Sequence, residues 1–207
     1  MNGTVSLQKV LGPMLRGKID GRAHYGPLCS HLSRFRPGSL VQFDFQGVED
    51  LSASWIAATL IPLLSWASLT EIDLYFVLTG VFGTDKRWED EFELVATREH
   101  VAFLVAAPEV PATFCLVGEL DAILFDTLRL VQSHREVTGA ALRRLVPDEN
   151  IGATAWSNRL KDLHTMRLVR RTTRGREQLY STVVEVNFDG TWCSGVAGGD
   201  VSAADAT

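Results

Sequence analysis

Cysteine is scarce. The chain holds three, Cys29, Cys115 and Cys193, odd in number, far apart and without a C-x-x-C pair. That spacing excludes a disulfide scaffold and the usual zinc arrangements. The five histidines, His24, His31, His100, His134 and His164, never pair at i, i+4, and no H-E-x-x-H run occurs. No metal and no cofactor is expected. Gly80-Val81-Phe82-Gly83 falls short of a dinucleotide-binding glycine run, and neither a phosphate-binding G-x-x-x-x-G-K-[ST] loop nor a G-x-S-x-G elbow occurs. The acids Glu89, Asp90, Glu91 and Glu93 form a run, but neighbours on a helix face different ways and read as a solvated surface. With no nucleophile beside a base, catalysis is not expected. The N-terminal residues 1–11 carry no basic segment followed by an apolar one, so no secretory signal is expected. The longest apolar stretch, residues 53–69, is interrupted by Ser54, Thr59, Pro62, Ser65 and Ser68. A membrane span needs roughly twenty apolar residues. The stretch therefore predicts a buried helix kinked or broken at Pro62. Together these absences predict a reduced, cytoplasmic protein without a membrane anchor.

What is present is ordinary in bulk and uneven along the chain. Length 207 suits one large domain or two small ones. At 46% hydrophobic and 22% charged, the composition is that of a globular protein rather than a disordered or collagen-like chain. The net charge of −5 argues by itself against a polyanion partner. Residues 129–183, however, carry 11 Lys and Arg against 5 acids, whereas residues 119–128 and 184–207 carry only acids. A concentrated basic block inside an acidic chain points to a dedicated electrostatic surface.

The organisation follows the charge. Residues 1–107 alternate strand and helix signals. Tyr25, Leu28, Cys29 and Leu32 recur at helical spacing, Leu40 to Phe45 reads as a buried strand, and Ser52 or Ser54 can cap the apolar helix. Glu71 to Leu78 predicts another strand, Trp88 to Glu99 a helix, and Val101 to Ala106 a further strand. Such alternation implies a mainly parallel or mixed sheet with right-handed crossovers. Pro108 and Pro111 mark residues 108–118 as an extended linker. Residues 119–186 form a second unit, and residues 187–207, poor in large apolar groups, are expected as a mobile acidic tail.

Residues 21–55, GRAHYGPLCSHLSRFRPGSLVQFDFQGVEDLSASW, resemble the STAS-like family of unknown function. The shared pattern is a helix after Gly-Arg, a strand ending Asp-Phe-x-Gly-Val, a Ser-rich turn and an apolar helix; it extends more weakly to about residue 107. In STAS domains that antagonise anti-sigma factors, this turn reads Asp-Ser-Ser/Thr-Gly and its last hydroxyl is phosphorylated. Ser54 falls at that position, while Ser52 stands in place of the Asp and Trp55 in place of the Gly. The resemblance makes Ser54 a candidate phosphorylation site and a regulatory protein a candidate partner. Helix capping alone also accounts for both serines.

In residues 119–183 three helix patterns precede a hairpin. Leu120, Ile123, Leu124, Leu128 and Val131 form the first apolar stripe, with Asp121 as cap. Thr138 opens a second helix. Thr154 can cap a third, with Trp156, Leu160 and Leu163 inward. Residues 168–183 read as two strands about Gly175. The order, and above all residues 154–183, resembles winged helix-turn-helix transcription regulators. On the third helix Thr154, Asn158, Lys161 and Thr165 lie opposite the apolar stripe, with Ser157 beside them. Short polar and cationic side chains suit base edges and phosphates. The expected DNA-contacting set is Thr154, Ser157, Asn158 and Lys161 on that helix, Arg143 and Arg144 on the second, and Arg170, Arg174 and Arg176 on the hairpin. The overall expectation is an α/β STAS-like domain fused to an α+β winged helix, a prokaryotic-type regulator of transcription on double-stranded DNA, acting as a homodimer where half-sites pair. The alternative is a protein-interaction module in a partner-switching circuit with little DNA binding.

Overall fold

A computed structural model describes residues 3–69, 73–82, 88–107, 113–118, 120–147 and 151–188. The tip of the expected linker, residues 108–112, and the tail from residue 189 lie outside the described residues. Strand β1 (Gly3–Ser6) runs into a short helix α1 (Leu7–Leu11), a two-residue strand β2 (Met14–Leu15) and helix α2 (Lys18–Leu32). Then come β3 (Leu40–Asp44), β4 (Asp50–Leu51), α3 (Ala53–Leu69), β5 (Tyr75–Thr79), α4 (Glu89–Glu99), β6 (Phe103–Ala106) and β7 (Phe114–Val117). The main sheet has the order β1-β3-β5-β6-β7, parallel except for the antiparallel β7, and β2 pairs with β4 in a small parallel ladder. The chain is a mixed α/β protein, with seven helices among the described residues.

Strand alternation sorts the sheet into two faces. Val5, Val41, Phe43, Phe76, Leu78, Phe103, Val105, Cys115 and Val117 point to the face covered by α2, α3 and α4. There Trp55, Ile56, Leu60 and Leu63 of α3 and Phe92, Val95 and Ala96 of α4 complete a continuous apolar core. Each large side chain buried this way contributes about 1.5–3 kcal/mol. Helix α3 runs through Pro62 without a break, contrary to a break there. The proline forfeits one backbone bond, and burial of the helix on the sheet outweighs it. Helices α2 and α3 approach closely at Gly21, where a Cβ would stand 2.8 Å from Ala58 Cβ. Thr59 donates across this contact to the Gly21 carbonyl at 2.9 Å.

Two sequence expectations need correction here. The region read as a linker contains β7, which pairs with β6 from Phe103↔Val117 to Ala106↔Phe114. Its alternating Cys115 and Val117 supply the buried face that a bare connector would lack. Strands β1, β2 and β4 are additional elements, too short for a periodicity signal. Of the described cysteines, Cys29 is a free thiol, and the Cys115 Sγ lies 3.5 Å from the Val105 carbonyl. Among the described residues no helix is long and apolar enough to cross a membrane.

The carboxyl-terminal block follows: α5 (Ala122–His134), α6 (Gly139–Leu145), α7 (Ala153–Thr165) and the hairpin of β8 (Val169–Arg174) and β9 (Glu177–Thr182). It covers part of the second face. Leu40, Tyr75, Val77 and Leu104 of the sheet share one core with Leu128, Val131, Leu142, Trp156, Leu160, Leu163, Leu168 and Val169.

Candidate functional site

Local chemistry explains how the block is built. Asp121 Oδ1 accepts from Leu124 N at 2.7 Å and Thr138 Oγ1 from Ala141 N at 3.0 Å, each satisfying an orphan donor at a helix start. Helix α7 starts two residues earlier than its sequence cap implied. Gly152 is the N-cap, so Thr154 lies inside the first turn and is free to face outward. The turn between α5 and α6 joins the hairpin, because Val137 and Tyr180 exchange both backbone bonds at 2.9 and 2.8 Å. Gly175, with φ +64°, makes the hairpin turn, a conformation that glycine adopts without a Cβ penalty. Ile123 was expected in the first stripe but stands 54% exposed, off the buried line of Leu124, Leu128 and Val131.

The expected contact residues separate into two groups. Thr154, Asn158 and Lys161 are exposed on α7, opposite the buried Trp156, Leu160 and Leu163. Arg143 and Arg144 are exposed on α6, and Arg174 and Arg176 are exposed at the hairpin end. Arg174 has only a 3.7 Å approach to Glu136, and its side chain is 78% exposed. Arg171, which the expected set omitted, is also exposed. Ser157 and Arg170 are otherwise engaged. The Ser157 hydroxyl donates to Ala153 O at 2.9 Å and is half-buried against α6, where a Cβ on Gly139 would stand 2.3 Å from it. Arg170 is half-buried, its Nη1 donating to the Gly38 carbonyl at 2.5 Å and its guanidinium 4.8 Å above the Tyr75 ring. Strand alternation is the reason: Arg170 and Arg171 face opposite ways, and Arg170 faces the sheet.

Arg170 belongs to a junction that the basic block concealed. Arg167 is 2% exposed, and its Nη1 donates to Asp73 Oδ1 at 2.6 Å while Nη2 donates to Ala67 O at 2.5 Å. Its Nε is buried without a partner among the described residues. Asp73 also accepts from the Tyr75 hydroxyl at 3.1 Å, and that hydroxyl accepts from Arg171 N at 3.3 Å. Burial first, then the Asp73 carboxylate, pushes the Tyr75 phenol up to about 12. His164, buried beside Tyr75 and Tyr180, shares a 3.1 Å contact between Nδ1 and Val169 O. Burial, with the nearby Arg167 and Arg171, lowers its pKa despite the opposing Val169 carbonyl and Asp73. Asp73 and Arg167 both hold left-handed backbone, at φ 45° and 63°. Nothing in the sequence distinguishes Arg167 from the surface arginines around it.

At the other candidate position, only Ser52 caps α3, with its Oγ accepting from Trp55 N at 3.3 Å and from Gly17 N at 3.0 Å. Ser54 is exposed inside the first turn and shares a 3.1 Å hydroxyl contact with Ser52. A carboxylate oxygen of Glu91 already accepts from Ala53 N at 2.5 Å, so the helix start holds an anion.

Set against family models, curated proteins and solved structures, the chain matches none. Among the described residues no group of three or more His, Cys, Asp or Glu could hold a metal ion.

Proposed function

We propose that the chain is a DNA-binding transcriptional regulator of a bacterial cytoplasm. Residues 119–186 act as a winged helix-turn-helix, and residues 1–107 as a STAS-like domain that binds a protein partner or a second copy. The observation that carries this reading is the outward face of α7. Thr154, Asn158 and Lys161 stand exposed on α7, Arg143 and Arg144 are exposed on α6, and the three-helix block ends in an exposed Arg171, Arg174 and Arg176. Small polar side chains on a helix read base edges, while arginines on a hairpin and a neighbouring helix hold phosphates. Arg170 and Ser157 are removed from the expected contact set, since the first bonds the sheet side and the second packs α6.

The test is duplex binding by the full chain, followed by fluorescence anisotropy across roughly 50 to 200 mM salt. Several phosphate contacts make affinity fall steeply over that range, and a flat response rejects the reading. Arg174→Ala with Arg176→Ala weakens binding about equally on all sequences and reduces the salt slope by about two. Asn158→Ala instead changes sequence preference. The partner-switching alternative draws on the exposure of Ser54. The Glu91 carboxylate opposes it, since a phosphate there would meet like charge.

A further inference from the structure

The carboxyl-terminal hairpin is gripped from both edges at one level. Along an antiparallel ladder, facing residues alternate between bonding each other and turning their N–H and C=O groups outward. Arg171 faces Tyr180 in the β8–β9 register. Tyr180 gives both of its backbone groups to Val137, at 2.9 and 2.8 Å. The Arg171–Tyr180 pair is therefore an outward one, and the Arg171 N–H takes its partner from beyond the hairpin. It donates to the Tyr75 hydroxyl at 3.3 Å. One jaw of this grip is the turn before α6, on the β9 edge. The other is a side chain of the main sheet, on the β8 edge.

The same tyrosine carries the preceding residue. The Arg170 guanidinium lies 4.8 Å from the Tyr75 ring centroid, and its Nη1 donates to the Gly38 carbonyl at 2.5 Å. Tyr75 is itself fixed: it is buried on β5, and its hydroxyl donates to Asp73 Oδ2 at 3.1 Å. Past the gripped level the hairpin is bare. Residues 172–178 are all exposed, Arg174 and Arg176 among them. An arm held only at its root presents its far end at the angle the root dictates.

We propose that Tyr75 is a positioning residue for duplex binding, the point through which residues 1–107 govern the hairpin arginines. This rests on the DNA-binding reading above and adds how that site is controlled. A held arm presents Arg171, Arg174 and Arg176 already ordered, whereas a loose arm is ordered only on binding, at a cost in affinity. A partner that shifts β5 against the carboxyl-terminal block acts on DNA affinity through this hydroxyl.

Tyr75→Phe removes the hydroxyl and keeps the ring under Arg170, and two measurements on the full chain test it. The first is amide hydrogen exchange by NMR without DNA. The Arg171 amide exchanges at least about tenfold faster in the variant, while the Val137 and Tyr180 amides of the opposite jaw keep their rates. A general loss of stability would speed all three together. The second is duplex affinity across salt. Affinity falls about two- to tenfold, the net worth of one hydrogen bond. The salt slope stays that of the wild type, because no phosphate contact is removed. The proposal is overturned if the Arg171 amide keeps its rate or all three amides quicken together. It is equally overturned if affinity stays within about twofold of the wild type or the salt slope falls. A wild-type chain without duplex affinity removes the DNA-binding reading instead, and the amide rates alone then decide whether Tyr75 holds the hairpin.

Discussion

The two faces of the central sheet are sealed by different means. The first lies under α2, α3 and α4 and is apolar from end to end, with Phe43 stacked on Phe76 and Phe92 edge-on to both Phe45 and Phe103. The second is sealed at one end by apolar packing edged with charge, where Arg167, Asp73, Tyr75 and Arg170 tie the carboxyl-terminal block to the sheet. Dispersion and area burial need no particular orientation. A buried guanidinium does, because a misplaced partner leaves an uncompensated charge. The first face thus supplies bulk stability, and the second fixes how the block sits on the sheet.

Truncating each core breaks the comparison most strongly. Phe92→Ala on the first face and Trp156→Ala in the second core should each cost about 3–5 kcal/mol. Because Leu40, Tyr75, Val77 and Leu104 belong to the second core, both halves should unfold together. Urea transitions read at the two ends of the chain should coincide for either variant; a block that melts alone would show the shared core to be weak. Next in size is Asp73→Ala, which strands the buried Arg167. The loss should be about 3 kcal/mol, the low end for a broken buried pair because Asp73 is itself a third exposed. Arg167→Met should cost less than Asp73→Ala, since it removes the charge that needs compensation. The reverse order would show that the pair acts through packing alone.

Smaller effects sharpen the same contrast. Gly139→Ala forces a Cβ to within 2.9 Å of Ala153 O and Ser157 N, backbone atoms that cannot step aside. Overpacking of this kind costs about 1–3 kcal/mol, and a thermal melt checks it. Gly26→Ala on α2, where a Cβ meets nothing within 4 Å, is the contrast: with no clash it should not destabilise, and helix propensity favours Ala by up to about 1 kcal/mol. The smallest effect is on pH. His164 has its pKa lowered by burial, so the native state binds fewer protons than the unfolded one just below the ordinary value near 6.5. Its contribution is complete above that pH and is lost as pH falls below it. The urea midpoint should decline from pH 7 toward 5.5 more steeply in the wild type than in His164→Gln. Equal slopes would remove the histidine from the account.

Helical and strand periods were legible wherever a run was long. The buried strand at Leu40–Asp44, the apolar helix of residues 53–69 and the stripe of Trp156, Leu160 and Leu163 all follow from spacing, because side-chain periodicity sets which face can be buried. The caps Asp121 and Thr138 were equally legible, since their chemistry is local. Strand β7 was hidden behind two prolines, and β1, β2 and β4 were too short to show a period.

Charge was legible as an amount and a location along the chain: a basic block between acidic segments. Which cations face water was decided only in three dimensions. Arg170 and Arg171 are adjacent in the chain, yet one lies over Tyr75 and the other stands exposed. Arg167 differs from its neighbours because Asp73, 94 residues away, meets it at 2.6 Å and the Ala67 carbonyl meets it at 2.5 Å. Local periodicity and capping depend on residues a few positions apart, so the sequence alone determines them. The partner of a buried charge depends on which distant segment arrives beside it, and the tertiary fold alone supplies that segment.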